Sequence, residues 1–235
     1  QRINKYTLRA AQADWNTPQP LLEALESPAF IARQVAYYRA HVLTGIAGVR
    51  FWSLKRWIAL QRGALPPCWG WKDPRTSLTL PLWLEVFPQA HVVNIIRNGI
   101  DVAISLHRRQ LAQAKRWRVH PDHRNPQGYD FRFCFSLWEI YQRQLLTYRD
   151  SVPGEQYTEL RYETLLREPE DSLRMLLSRI NVPVKEDQLA AALATINTGR
   201  LDNRTYAAAY EEVISELLGN PLMIELGYAT PNEVV

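Results

Sequence analysis

Several absences narrow what this chain can be. Only two cysteines, Cys68 and Cys134, occur in 235 residues, too few for a disulfide framework and without metal-site spacing. Both are expected as buried thiols in a reducing compartment, and a cytoplasmic location follows as an expectation. No apolar run reaches the roughly eighteen residues needed to span a bilayer. Ten glycines leave little room for repeats or flexible linkers, and no low-complexity tract is present. An excess of one charge is also lacking, since 28 Lys and Arg against 24 Asp and Glu give a net charge of +4. That balance suits an anionic small ligand. It is too weak to imply nucleic acid, and the basic residues are not interleaved with stacking aromatics in any nucleic-acid motif.

What is present argues for a folded enzyme-sized domain. Aromatics make up 11% of the chain, with eight Trp, a composition incompatible with disorder. At this length one sizeable core is the default. Residues 1 to 18 are polar and read as an irregular lead-in. From Pro20 the apolar positions fall at helical spacing through Leu21, Leu25, Phe30, Val35, Tyr38 and Val42. A second helical piece runs from about Gly48 to Arg62 and stops at Gly63 and Pro66-Pro67. Its aromatic stripe reads as core, although Trp52, Trp57 and Trp71 are also candidates to line an apolar acceptor site.

The rhythm then changes. Cys68–Trp71 is a candidate strand, and Thr76–Phe87 a helix capped by Thr76 or Asp73. His91–Ile96 is a strand, Gly99–Gln113 a helix, Lys115–Gly128 a basic loop and Asp130–Arg149 a strong helix. Gln156–Leu160 is a third strand candidate, followed by helices at 170–180, 186–196 and 206–218. Alternating strands and helices at this spacing predict a parallel sheet with crossover helices.

The chemistry concentrates where His91–Ile96 breaks at Arg97-Asn98-Gly99 and becomes a helix carrying Asp101, Ser105 and Arg109. Ligands of open α/β sheets sit at the carboxyl ends of strands, and arginine with free helix N–H groups is a common phosphate cradle. On residue chemistry alone, Arg97 serves equally as a phosphate fork or as an ion-pair partner of Asp101, one turn on. Ser105 alone would be a packing residue. Lys72, between Trp71 and Asp73-Pro74-Arg75, is either a surface lysine or an ammonium that neutralises a leaving group. Asp73 reads as a cap more than as a base, and Arg75 as an anion ligand or its partner.

Three segments together resemble the sulfotransferases that use 3′-phosphoadenosine 5′-phosphosulfate, especially bacterial and protein-tyrosine members. They are Lys72-Asp73-Pro74, Arg97-Asn98-Gly99-Ile100-Asp101 through Ser105, and Arg161-Tyr162-Glu163-Thr164-Leu165-Leu166 with Glu168-Pro169; Glu225-Leu226-Gly227-Tyr228 is a looser match. The resemblance implies an α/β, three-layer domain with a short parallel sheet, P-loop-hydrolase-like, over residues 1–235. It implies a helix-rich extension at 19–67 as the candidate acceptor pocket. It implies Lys72 as the catalytic group, and Arg97, Ser105, Arg109 and Tyr162 as ligands of the donor, with the tyrosine segment beside the adenine and no metal. The family's glycine- and hydroxyl-rich 5′-phosphosulfate loop has no counterpart in residues 1–67, and with Gln at position 1 this favours a chain lacking the first strand.

The implied reaction is in-line sulfuryl transfer to a hydroxyl or amine on a small molecule or peptide. A non-catalytic nucleotide- or protein-binding module of the same fold is the alternative. A kinase-type P-loop site needs a lysine-bearing phosphate loop and a magnesium carboxylate, neither of which is identifiable. No residue is assigned as base, because Glu23, Glu26 and His41 lie in no alignable motif and His107 is expected to face solvent or the phosphate cluster. The basic run from His107 to Arg124 is either a solvated face or an electropositive rim. Arg200 and Arg204 are candidates for a late basic loop over the nucleotide.

Overall fold

The computed structural model describes residues 2–63, 68–117, 130–197 and 210–230, excepting the side chains of 45–47, 50, 114, 116 and 117. The basic residues Arg118, Arg124, Arg200 and Arg204 lie outside the described residues. The chain divides into two compact units, Gln1–Ala90 and His91–Val235.

The first unit is helical: α1 (Arg2–Ala10), α2 (Gln19–Ala24), α3 (Pro28–Leu43), α4 (Gly45–Trp52), α5 (Leu54–Gln61) and α6 (Thr76–Val86). The expected irregular lead-in is therefore a helix. Its inward stripe, Ile3, Asn4, Thr7 and Leu8, recurs at three- and four-residue spacing but is half polar, which hides it from a hydrophobicity reading. The polar members are buried and bonded. Asn4 Oδ1 accepts from Trp83 Nε1 at 2.8 Å, Thr79 Oγ1 at 3.1 Å and Tyr38 Oη at 3.2 Å. Asn4 Nδ2 donates to Thr76 Oγ1 at 3.0 Å, so one side chain ties α1 to α3 and α6. Burial pushes the Tyr38 hydroxyl up to about 12, which keeps it protonated and able to donate.

Ser27 caps α3 by accepting from the Phe30 N–H, and Pro28 takes the first turn, where a missing N–H costs nothing. The piece read as one helix from Gly48 to Arg62 is two, broken at Ser53, whose φ of 68° is outside the helical region. Tyr38, Val42, Trp52, Leu82 and Trp83 form the core of this unit. Trp52 is 5% exposed and donates Nε1–H to Val42 O at 2.8 Å, which makes it a core residue. The expected strand at Cys68–Trp71 does not form. Trp69 and Trp71 instead stack at 5.7 Å and pack against Phe87, with Trp71 left 36% exposed. Cys68 is exposed, not buried as expected.

The second unit holds the sheet. Strand β1 (Val92–Ile96) pairs in parallel with β2 (Tyr157–Arg161), in register from Val92↔Tyr157 to Ile96↔Arg161. Helices α7 (Gly99–Trp117) and α8 (Phe131–Arg149) lie between them in sequence, and α9 (Tyr162–Arg167), α10 (Pro169–Arg179), α11 (Glu186–Leu193), α12 (Glu211–Leu218) and α13 (Pro221–Glu225) follow. The fold class is α/β, as the sequence indicates. Helix α7 continues to Trp117, past the expected stop at Gln113, because nothing in Leu111–Trp117 breaks a helix. Asp130 caps α8 by accepting from the Arg132 N–H at 2.9 Å. Ile96, Ile100, Ala103, Ile104, Cys134, Phe135 and Trp138 build the core over which α7 and α8 pack, joined by Leu222 and Met223 of α13. Burial raises the Cys134 thiol to about 12, so this cysteine is an inert packing group.

Replacing Asn4 with Ala would leave Trp83 Nε1 and two hydroxyls without their shared acceptor inside the first unit. A loss of about 2–4 kcal/mol is expected in urea unfolding followed by tryptophan fluorescence, from the cost of stranding buried donors. A near-neutral result would show that this hydrogen-bond hub is not what fixes α1.

Candidate functional site

The break after β1 is built by residues from four parts of the second unit. Asn98 starts α7: its Oδ1 accepts from the Ile100 N–H at 2.9 Å and the Asp101 N–H at 3.4 Å. The helix N-terminus is thus capped by its own chain, and an anion here must be held chiefly by side chains rather than by free helix N–H groups. Below the turn lies Trp138 of α8, donating Nε1–H to Arg97 O at 3.1 Å. Its ring sits so close to Gly99 that an added Cβ would lie 2.7–2.8 Å from ring carbons. Only glycine fits there.

Glu163, in the first turn of α9, closes the turn from the other side. Its Oε1 accepts the Asn98 N–H at 2.9 Å and its Oε2 accepts the Tyr228 hydroxyl at 3.0 Å. Arg161 donates to Leu226 O and lies 5.0 Å over the Tyr228 ring. Three sequence motifs, Arg97-Asn98-Gly99, Arg161-Tyr162-Glu163 and Leu226-Gly227-Tyr228, therefore meet in one place. Burial, then the neighbouring Glu163 carboxylate, push the Tyr228 hydroxyl well above its ordinary value and keep it a donor.

Arg97 projects from this frame. Its guanidinium stands 4.6 Å over the Tyr162 ring, a cation–π placement worth about 0.5–2 kcal/mol. The ion pair with Asp101 exists but is long at 3.9 Å. Arg97 Nε is buried and has no acceptor among the described residues. A buried guanidinium donor without a partner costs free energy that an anion would recover. Ser105 and Arg109 follow Asp101 at successive intervals of four on α7, so all three share one helix face, and both Ser105 and Arg109 are exposed. His107 does not face solvent. It is 3% exposed and packed against Phe131 and Tyr210.

Lys72 lies in the first unit, exposed, between Trp71 and the buried Asp73. Both carboxylate oxygens of Asp73 are engaged by Arg75: Oδ1 accepts from its backbone N–H at 3.1 Å and Nε at 3.0 Å, Oδ2 from Nη2 at 3.0 Å. Burial alone would raise this carboxyl, but the Arg75 hydrogen bonds outweigh it and hold it below its ordinary value. Asp73 and Arg75 are thus a structural clamp on the turn before α6, and neither is placed as a base or an anion ligand. Arg75, the residue before α6, makes no side-chain cap bond, and the capping expected of Asp73 takes the form of Oδ1 accepting the Arg75 N–H in the turn just before the helix. Asn98 and Glu163 fall inside the motif segments but carry no assigned role there, and Trp138 reads in the sequence only as one more apolar position of α8.

Two expectations follow from this geometry. Gly99→Ala should lose about 1–3 kcal/mol in denaturant unfolding, because Trp138 must leave its place to admit the methyl. For Asp73 the folded value is depressed, so its stabilisation is full above the unfolded value of about 3.9 and lost as pH falls through the folded one. Asp73→Asn should therefore cost about 1–3 kcal/mol at neutral pH, with the gap to wild type closing in urea titrations run at increasingly acid pH.

Comparison with known proteins bears on the same segments. Two curated relatives, the omega-hydroxy-beta-dihydromenaquinone-9 sulfotransferases Stf3 of Mycobacterium bovis and Mycobacterium tuberculosis, are each 31% identical over 115 residues. The match covers 47% of this chain and 28% of those proteins. No solved structure matches. The model of the sulfotransferase family matches residues 2–186, more than half of the chain and inclusive of Lys72, the Arg97 turn and Tyr162 with Glu163. The protein whose Arg97 is framed by Trp138, Tyr162 and Glu163 belongs to the sulfotransferase family.

Proposed function

We propose that this chain binds 3′-phosphoadenosine 5′-phosphosulfate at the β1–α7 turn and passes its sulfuryl group to an acceptor hydroxyl. The observation that carries the reading is Arg97, a planar fork of donors held over Tyr162 with its buried Nε unpartnered. Its partner would be the 3′-phosphate, shared with Ser105 and Arg109 on the exposed face of α7. Tyr162 positions the guanidinium with one ring face, which leaves only its other face for an adenine. Glu163 keeps the turn in place and, with both oxygens already bonded, adds no free acceptor to the anion site.

In such a transfer the acceptor oxygen forms a bond to sulfur as the bond from sulfur to the bridging phosphate oxygen breaks. The acceptor proton leaves to a base, and negative charge collects on the departing 3′-phosphoadenosine 5′-phosphate. An ammonium near the bridging oxygen stabilises that charge, and we assign this role to Lys72. Positioning and charge stabilisation, with no covalent intermediate, carry most of such a barrier. The relatives are named for a hydroxyl-bearing substrate, which favours a hydroxyl over an amine as acceptor. No described residue is assigned as base, and none besides Lys72 to the 5′-phosphosulfate end.

Calorimetric titration of 3′-phosphoadenosine 5′-phosphate tests the donor site. Micromolar affinity, about −8 kcal/mol, is expected for the wild type, with about 1.5–3 kcal/mol lost in Arg97→Ala. Adenosine 5′-monophosphate, lacking the 3′-phosphate, should bind the wild type no better than the bisphosphate binds Arg97→Ala. Equal affinity for the two nucleotides, or no dependence on Arg97, would overturn the assignment. Binding without sulfuryl transfer to any hydroxyl acceptor would favour a nucleotide-binding module instead.

A further inference from the structure

The net charge of the chain is unevenly shared. Residues 1–90 carry eleven Lys and Arg against five Asp and Glu, whereas residues 91–235 carry seventeen against nineteen. The surplus is concentrated further, because no acid occurs between Glu26 and Asp73, a stretch with seven Lys and Arg and four Trp. Helix α5 lies within it. None of its residues is fully buried. Trp57 and Leu60, three apart, are its half-buried side and pack on the core of the first unit.

The flank beside that half-buried side is exposed and mixed. Leu54 is 60% exposed and Ile58 37%, and their spacing of four places them one above the other. Lys55 and Arg62, seven apart, border that stripe, and Arg56 lies further round; all three are exposed. None of them has an ion-pair partner in this stretch, because it contains no acid. Exposed branched aliphatics bordered by long cations are the composition of a helix lying in a membrane interface. The aliphatics enter the acyl boundary while the basic side chains reach the headgroups.

We propose that α5 docks the first unit onto an anionic lipid bilayer. Charge complementarity selects this occupant: the two exposed aliphatics are flanked by cations from a stretch of sequence that holds no acid, which matches an anionic headgroup layer. The chain would be a peripheral binder, since among the described residues no helix is long and apolar enough to cross a membrane. The inference stands apart from the nucleotide site, whose arginine lies in the second unit.

Flotation with phosphatidylglycerol–phosphatidylcholine vesicles, against pure phosphatidylcholine, tests it on the full chain. The wild type should float with the anionic vesicles only and be released by high salt. Leu54→Ser with Ile58→Ser should lower the vesicle-bound fraction about tenfold, with the thermal melt checked alongside. Lys55→Gln with Arg62→Gln, both exposed and so harmless to folding, should weaken binding and flatten its salt dependence. Lys185→Gln in the second unit and Arg97→Ala should leave binding unchanged. Three results would overturn the proposal: no flotation, flotation indifferent to both α5 variants, or a concentration-dependent oligomer that Leu54→Ser and Ile58→Ser dissolve while vesicles remain unbound. The last would make a second copy the occupant.

Discussion

The indole of Trp138 under the β1–α7 turn is the contact on which the site depends. Its N–H holds the Arg97 carbonyl at 3.1 Å while its ring lies where a Cβ on Gly99 would be. One side chain thus fixes both the residue that bears the guanidinium and the residue that begins the helix. Trp138 is itself 4% exposed, locked by Phe135 and the rest of the α7–α8 core. Core packing is therefore converted directly into the position of a charge. That is economical physics: a long arginine loses rotamer entropy when it is held, and here the holding is done by groups already ordered for other reasons.

The same reasoning explains why the proposed anion site is made of side chains. A helix start with free N–H groups would be the simplest phosphate cradle. Asn98 instead closes it, accepting from two of those N–H groups, and Asp101 adds a carboxylate in the first turn. Both stabilise α7 in the absence of any ligand. The consequence is a helix that is stable empty and an arginine that is not fully satisfied. Its 3.9 Å contact with Asp101 is too long for a strong hydrogen bond. The unsatisfied donor is where binding energy is available.

How much of this was legible follows from what each residue does. β1 and α7 were readable because an apolar run ends abruptly at Arg97-Asn98-Gly99 and helical spacing then takes over, a change of period that few other arrangements produce. The placing of Arg97 and Tyr162 in one site was legible only through the motif resemblance, since 65 residues separate them. Trp138 and Glu163 were not legible in their roles, because a ring beneath a glycine or a carboxylate bridging two loops leaves no periodic trace. α1 was missed for a different reason. Its buried stripe includes Asn4 and Thr7, and a helix whose inward face makes hydrogen bonds looks polar from every side. Cys68–Trp71 failed because a short aromatic run is compatible with a strand but says nothing about whether a partner strand lies alongside.

Composition, averaged over the chain, concealed the feature that distinguishes its two parts. A net charge of +4 reads as mild, yet it is the sum of a basic helical unit and a slightly acidic sheet unit. In the sheet unit several carboxylates are spent on partners within the chain: Glu163 on Asn98 and Tyr228, Glu170 and Glu186 on Arg174, Glu139 on Arg143. In the helical unit Asp73 is likewise engaged by Arg75, while Lys55, Arg56, Arg62 and Lys72 remain exposed. Cations that no acid restrains keep their full field toward solvent. A unit so charged favours anionic partners at every approach, and the division of labour is then physical: a neutralised frame that fixes one arginine, and an unneutralised unit that meets anionic surroundings.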